Sequence, residues 1–313
     1  MPVALVTSSH SPLLHYTEPA PGVRDRVDAA FDNARNFIAE FRPDLVVLFG
    51  PDHYNGFFYE MMPSFCIGAA AKSIGDYGTT PGPVRVDRDA AHRFTRAVLA
   101  DDVDVAMSER MYVDHGFVQP LEELLGGIEK VDVVPVFINC VAEPLGAPRR
   151  AARLGTAIGA AAAGMDRRTL FIGSGGLSHD PPVPALEGAP PEVAATLISE
   201  GRFLTPEQRD ARQERVIQAG LDYAAGASTM QPLNPDWDRL VLATLAAGRF
   251  DQIEQWTTDW FTKEAGHSSH EARTSIAAYA ALAASGPYAV TSSFYEVIPD
   301  WIAGFAVTMA RLT

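Results

Sequence analysis

Two hydrophobic patterns alternate along the first two thirds of the chain. Short runs such as residues 45–49 (LVVLF) are apolar at every position, as in a strand that is buried on both faces of its sheet. Segments such as residues 23–41 instead place apolar side chains at helical spacing. Strands are predicted at residues 3–8, 45–49, 102–107, 131–139 and 168–176, and further helices at 87–100, 117–126 and 147–164. This alternation predicts an α/β fold with a central sheet flanked by helices.

The pattern changes after residue 178. A proline-rich stretch at residues 180–192 (DPPVPALEGAPPE) predicts an ordered surface loop. Mostly helices are predicted after it, at residues 205–225, 235–246, 250–259 and 270–285, before a strand-like segment at 288–298 that could return to the sheet. No internal repeat or linker interrupts the sequence. We therefore expect one domain over residues 1–313, with a helical C-terminal portion.

Composition narrows the classes of protein that fit. Of 313 residues, 47% are hydrophobic and 20% are charged, which is ordinary for a globular protein. The formal net charge of −14 disfavours a nucleic-acid or anionic-membrane partner, because both bind basic patches. The N-terminal sequence lacks a secretory pattern, and no run of about 18 apolar residues predicts a membrane span, so we expect a cytoplasmic protein. Cys66 and Cys140 lie in apolar stretches and are predicted to be buried reduced thiols.

The placement of the histidines is the most informative feature of the sequence. His10, His53 and His179 each follow a predicted strand. In open α/β sheets, ligands bind outside the carboxyl ends of the strands. We therefore expect these three side chains to face one crevice. His115 is predicted to lie in a loop before a helix and to reach the same crevice.

The remaining histidines carry weaker signals. His92 lies within a predicted helix and receives no role, while His15 stays open because it is close to His10. The HSSH segment at residues 267–270 has a spacing that could suit a metal on a helix. Such a segment more often begins a helix, with one of its serines as the N-cap.

Several histidines in one crevice are compatible with more than one chemistry. Two imidazoles and a carboxylate form the facial triad of non-haem Fe(II) oxygenases, and further histidines can then transfer protons. Three histidines and a water would instead indicate a hydrolytic zinc site. The GSGGLSH segment matches neither a dinucleotide-binding fingerprint nor the GxSxG elbow of a hydrolase. Spacing alone leaves the oxygenase and the hydrolase open.

Longer motifs resemble a known family. They are SHSPLL, PDLVVLFGPDHYNGFFYE, VDHGFVQPLEELLGG, VPVFIN, FIGSGGLSHDPPVP, PLNPDWD and IPDWIAGF, and together they extend over essentially the whole chain. They resemble the class III extradiol dioxygenases. The resemblance implies a single α/β domain, a homo-oligomer, an Fe(II) cofactor, and O₂ as co-substrate. It also implies a catechol substrate with a propionate side chain, or the cinnamate analogue of that substrate.

The resemblance also implies roles for individual residues. His10 and His53 match the two iron-binding histidines of the family. The third ligand of the family is a glutamate late in the chain. Glu271 is the best match because it opens a predicted helix after a glycine-containing loop, and Glu264 is its competitor.

His115 and His179 match the acid–base pair of the family, with His115 expected as the acid and His179 as the base. The side-chain carboxylate of the substrate needs a hydrogen-bonding or cationic partner, for which Tyr112, Asn55 and several arginines are candidates.

Three alternatives stay open at this point. The chain could cleave a catechol with a different substituent. It could also be a metal-dependent hydrolase that keeps His10 and His53 as ligands, or a non-catalytic binding protein with the same fold.

Overall fold

A mixed eight-stranded sheet forms the centre of the molecule, in a computed structural model that describes residues 2–313. The strands are β1 (Val3–Ser8), β2 (Leu45–Gly50), β3 (Phe65–Gly68), β4 (Ala71–Ser73), β5 (Gly82–Val84), β6 (Ala106–Ser108), β7 (Met111–Val113), β8 (Val133–Ile138), β9 (Thr169–Ser174), β10 (Tyr288–Ile298) and β11 (Ala303–Leu312). The order across the sheet is β10-β11-β1-β9-β2-β8-β3-β6. Strands β1, β9, β2 and β8 are parallel, and β11 and β10 extend one edge antiparallel. Strands β4, β5 and β7 form a small separate sheet.

Helices cover both faces of the central sheet. They are α1 (Val23–Phe41), α2 (Arg88–Ala100), α3 (His115–Leu125), α4 (Pro148–Ala163), α5 (Pro191–Ile198), α6 (Pro206–Ala224), α7 (Pro235–Ala246), α8 (Phe250–Ile253), α9 (Thr258–Ala265) and α10 (Ala272–Ala283). Short 3₁₀ segments lie at Asp76–Gly78, Glu200–Phe203, His267–Glu271 and Pro299–Trp301. Helices α2, α4 and α10 pack on one face of the sheet, and α1 and α3 pack on the other. Every residue of β1, β2, β8 and β9 is buried for this reason.

The α/β fold with a flanked sheet and a helical C-terminal portion is confirmed. Cys66 and Cys140 are buried free thiols, as predicted. Within residues 2–313, none of the helices combines the length and the apolar character that crossing a bilayer requires.

Several boundaries differ from the prediction. The helix predicted at residues 250–259 is two helices, α8 and α9, and the one predicted at 270–285 starts as the 3₁₀ segment His267–Glu271 before α10. Strand β6 is shorter than the predicted strand at 102–107. Strands β3, β4, β5, β7 and β11 and helix α5 were not predicted.

Helices α4 and α10 cross at very close range. A Cβ atom on Gly155 would overlap the carbonyl oxygen of Ala277, and one on Gly159 would overlap the carbonyl oxygen of Ala281. Helix α10 also packs on β9 and leads into the site described below. The two glycines thus allow α10 to pack directly against the backbone of α4.

We expect Gly155→Ala to lower the free energy of unfolding by about 1–3 kcal/mol, because the added methyl group overpacks a backbone contact that cannot yield. Gly164→Ala, just past the end of α4, is the matched control. Its Cβ would meet its nearest neighbour at 3.5 Å, so we expect a change within about 0.5 kcal/mol. Urea denaturation followed by circular dichroism measures both variants, and equal stabilities would contradict this packing.

Candidate active site

The ends of three neighbouring parallel strands and the start of helix α3 bring four histidines together. His10 follows β1, His53 follows β2 and His179 follows β9. The ring centroids of His10 and His53 are 5.5 Å apart, those of His10 and His115 are 5.4 Å apart, and those of His53 and His115 are 4.5 Å apart. The single crevice expected from the sequence is therefore present, and His115 also reaches it.

The carboxylate of Glu271 is the acidic group of this cluster. Its Oε1 atom lies 3.1 Å from Nε2 of His53 and 3.3 Å from Nε2 of His179, and its Oε2 atom lies 3.5 Å from Nε2 of His10. The backbone N–H of Gly176 donates to Oε2 at 2.9 Å. Glu271 ends the 3₁₀ segment that leads into α10, so the position of this helix fixes the carboxylate.

Glu264, the competing glutamate, is placed elsewhere. Its backbone carbonyl accepts a hydrogen bond from the side-chain amide of Asn234. Within residues 2–313, Glu271 lines the cavity beside the histidines and Glu264 does not. The geometry therefore brings only Glu271 to the cluster.

Hydrogen bonds orient the rings of His10 and His53. The hydroxyl of Ser174 donates to the carbonyl of Gly116 at 2.6 Å, so its oxygen accepts from Nδ1 of His10 at 2.9 Å. Nδ1 of His53 donates to the buried carboxylate of Asp114 at 3.1 Å. Each ring therefore directs Nε2 towards Glu271. Partners of this kind hold metal-binding histidines in one tautomer.

The ionisation states of the histidines and of Glu271 affect how this cluster binds a metal. Burial lowers the pKa of His10 to about 3, which keeps this imidazole neutral. Burial alone would raise the pKa of Glu271, but His179 and His10 outweigh that effect and hold the pKa well below its usual range. Burial alone would lower the pKa of His53, but Asp114 and Glu271 outweigh that effect and raise it well above its usual range. A divalent metal would therefore displace a proton from His53 when it binds the two imidazole nitrogens and the carboxylate.

The rings of His115 and His179 are fixed by different acceptors. The carboxylate of Asp76 accepts from Nδ1 of His115 at 2.6 Å and from its backbone N–H at 2.8 Å. The carbonyl of Leu177 accepts from Nδ1 of His179 at 2.9 Å. His115 is the first residue of α3 and not part of a loop, because Asp114 caps the helix by accepting from the N–H of Gly116.

The other histidines lie outside the cluster. His15 is exposed and contacts Glu123, and His92 pairs with Glu109. The 3₁₀ segment His267–Glu271 places its two histidines on different partners: His267 on Asp180, and His270 on Thr262 and Arg273. The two do not share a metal site, and neither serine of the segment caps a helix.

A cavity of about 920 Å³ opens from the cluster. The proline-rich loop, helix α5 and helix α6 form part of its wall. Much of its wall is apolar, with Leu13, Ile74, Val193 and Trp301 among the lining residues. A buried donor set beside a cavity of this size defines a metal-dependent enzyme that acts on a small molecule.

Comparison with known proteins identifies the family. Residues 4–306 match the family described as the catalytic LigB subunit of aromatic ring-opening dioxygenase. A Rhodococcus jostii (strain RHA1) protein named 2,3-dihydroxyphenylpropionate/2,3-dihydroxicinnamic acid 1,2-dioxygenase is 61% identical over 310 residues, covering 99% of this chain and 98% of its own. Proteins of the same name from Rhodococcus sp. and Mycolicibacterium gilvum (strain PYR-GCK) are 60% and 53% identical, each covering 99% of this chain and 98% of its own.

The chain belongs to this family of class III extradiol ring-cleaving dioxygenases. It is accordingly a metal-dependent oxygenase that opens an aromatic ring with O₂, and the family resemblance seen in the sequence is confirmed.

Proposed function

We propose that the chain is an Fe(II)-dependent enzyme that cleaves 2,3-dihydroxyphenylpropionate, and its cinnamate analogue, beside the two hydroxyl-bearing ring carbons. Residues 1–313 would act as one catalytic domain. The observation that carries the proposal is the buried carboxylate of Glu271, which lines the cavity and faces Nε2 of both His10 and His53. The names of the relatives support the choice of substrate.

The donor set favours iron over a hydrolytic zinc ion. Two imidazoles and one carboxylate bound to a metal would leave positions for two hydroxyl oxygens and O₂. A second set in the same cluster brings one nitrogen each of His10, His53 and His115 within 4.8 Å, as a three-histidine zinc site would need. The contacts of Glu271 with Nε2 of His53 at 3.1 Å and with Nε2 of His10 at 3.5 Å support the first set, because they bring a carboxylate to both imidazoles.

When bound, Fe(II) would hold the catechol and O₂ on one centre and let electrons pass between them. His179 is suited to act as the base. A carbonyl oxygen can only accept, so the carbonyl of Leu177 keeps one ring proton on Nδ1. Burial alone would lower the pKa of His179, but Glu271 outweighs that effect and raises it, which makes Nε2 a stronger proton acceptor. That nitrogen can take a proton from a catechol hydroxyl group.

His115 is suited to act as the acid. The carboxylate of Asp76 accepts from Nδ1 and fixes the ring beside His10 and His53, where its other nitrogen can donate a proton to an oxygen atom derived from O₂. One proton is taken from the substrate and one is given back, and both oxygen atoms enter the ring-opened product. The apolar wall of the cavity limits competing protonation by water.

Anaerobic reconstitution tests the proposal. The protein is loaded with Fe(II) and ascorbate, mixed with 2,3-dihydroxyphenylpropionate, and then given O₂. We expect O₂ uptake together with a yellow ring-opened product, and a ferrous chelator should abolish both. Protein loaded with Zn²⁺ is the matched control and should take up no O₂. If iron-loaded protein consumed no O₂ with this compound, catechol or methylcatechols, the hydrolase would become the better account.

A homo-oligomeric assembly and a cytoplasmic location stay predictions from the sequence and its family resemblance.

A further inference from the structure

The arginines that line the cavity all come from helix α6. They are Arg209, Arg212 and Arg215, spaced three residues apart, and no lysine of residues 2–313 lines the cavity with them. Residues at such spacing lie near one another on a helix surface. A protein with a net charge of −14 needs a local cation to hold an anionic substrate. Helix α6 provides the arginines that could meet this need.

Arg212 differs from its two neighbours in how its guanidinium is held. Its Nη2 donates to the backbone carbonyl of His53, and its Nη1 donates to that of Tyr54 at 3.4 Å. Arg215 is exposed, and the guanidinium of Arg209 makes no hydrogen bond to residues 2–313. A guanidinium fixed in place loses little conformational entropy when it binds a ligand.

The positive charge of Arg212 has no carboxylate partner. Both of its acceptors are neutral carbonyls, and it forms no ion pair with a carboxylate of residues 2–313. Arg167, by contrast, pairs with three carboxylates, those of Asp44, Asp87 and Asp132. Arg212 is half-buried beside the cavity, so an anion that enters the cavity would be its natural partner.

Arg212 and its neighbour Gln213 connect helix α6 to two parts of the histidine cluster. It contacts the backbone of His53, a proposed metal ligand. The next residue, Gln213, accepts a hydrogen bond from the backbone N–H of Tyr77, whose ring packs edge-on against His115 at 4.9 Å. Helix α6 thus closes over the site at residues 212–213. A catechol held at the cluster would meet this helix through a short side chain on its ring.

The partners considered from the sequence fit this role less well. The side-chain amide of Asn55 already donates to the carboxylate of Asp114 at 2.9 Å. Within residues 2–313, Tyr112 is not among the residues that line the cavity. The guanidinium of Arg212 has five N–H donors, of which two are used, and a carboxylate can bind the free ones in pairs.

We propose that Arg212 binds the side-chain carboxylate of the substrate and so makes the enzyme selective for catechols with a short anionic chain. The inference rests on the proposed function, because it needs a catechol bound at the histidine cluster. Arg212 would be a specificity-determining residue, with no part in the transfer of protons.

A comparison of two substrates in the Arg212→Met variant tests the proposal. We expect kcat/KM for 2,3-dihydroxyphenylpropionate to fall about 10- to 100-fold, mainly through KM, because a hydrogen-bonded charge pair is lost. The value for 3-propylcatechol, which lacks the carboxylate, should stay within about threefold. Arg212→Lys should restore part of the loss, since it keeps the charge without the paired donors.

Arg209→Met is the matched comparison on the same helix, and we expect it to keep the preference for the propionate. If it lost that preference while Arg212→Met kept it, the assignment to Arg212 would be overturned. Equal losses on both substrates in Arg212→Met would also overturn it, since they would show that Arg212 only supports the segment around His53 and Tyr54.

A binding measurement separates this inference from the proposed function. In metal-free protein, calorimetric titration with 3-phenylpropionate, which has the carboxylate but no hydroxyl groups, should give a Kd at least about tenfold lower for the natural chain than for Arg212→Met. Equal Kd values would overturn the inference. If the iron-loaded natural chain cleaved both catechols with equal kcat/KM, the inference would fail and the proposed function would stand. If it cleaved neither, the proposed function would fail, and the titration would still decide whether Arg212 binds the carboxylate.

Discussion

Glu271→Ala should abolish ring cleavage because the protein can no longer hold its metal. We expect the affinity for Fe(II) to fall by more than about 100-fold, since losing even an outer partner of a metal ligand costs 10- to 100-fold. His10→Ala and His53→Ala should behave in the same way, because each removes a nitrogen that faces the carboxylate of Glu271. Iron content after gel filtration and O₂ uptake with the catechol measure the two losses.

Glu264→Ala and His92→Ala are the matched controls for these variants. Glu264 does not line the cavity. His92 lies on helix α2, where its side chain pairs with Glu109. Both variants should bind iron and cleave the ring as the natural chain does. A Glu264 variant without iron, together with a Glu271 variant that keeps it, would contradict the proposed ligand set.

His115→Ala and His179→Ala should keep the iron and lose most of the activity. Each histidine is proposed to transfer one proton, and such a group typically contributes 10²–10⁴-fold, or roughly 3–5 kcal/mol of the barrier. We therefore expect kcat to fall by about that factor at unchanged iron content. His179→Gln, which keeps a polar side chain of similar length, should be equally impaired because an amide does not exchange protons at neutral pH.

The iron content of these variants is the decisive control. Loss of iron from His115→Ala would indicate the three-histidine set of His10, His53 and His115 and would favour the hydrolase. If His179→Ala lost iron while His53→Ala kept it, the assignment of ligands and proton-transfer groups would be wrong.

The central strands were predictable because their environment is uniform. Strands β1, β2, β8 and β9 are buried on both faces, so their sequences are apolar throughout. Strand β11 was missed although it lies between β1 and β10. Its Thr308 is buried in the sheet, where its hydroxyl contacts those of Thr7 and Tyr279 at 2.6 and 2.8 Å. These partners come from distant segments, so the local sequence does not reveal that a polar residue is satisfied there.

The candidate site was predictable where topology alone places a residue. Histidines after parallel strands must meet at one edge of the sheet, and the structure brings them together there. Two other contacts were not predictable, because they come from distant segments. Asp76, which holds the ring of His115, lies between β4 and β5, and Arg212, which contacts the backbone of His53, lies on α6. The start of helix α3, by contrast, has a local signal in the sequence at Asp114. An aspartate before a helical segment is a typical N-cap, and it moves the start of α3 to His115.

The measurement that tests the central claim most directly is the stoichiometry and product structure for the iron-loaded chain with 2,3-dihydroxyphenylpropionate. O₂ consumption is followed with an electrode, and the product is identified by NMR. We predict one O₂ consumed per catechol and a ring opened beside the two hydroxyl-bearing carbons. A ring opened between those carbons, or an unchanged catechol with no O₂ consumed, would contradict the account.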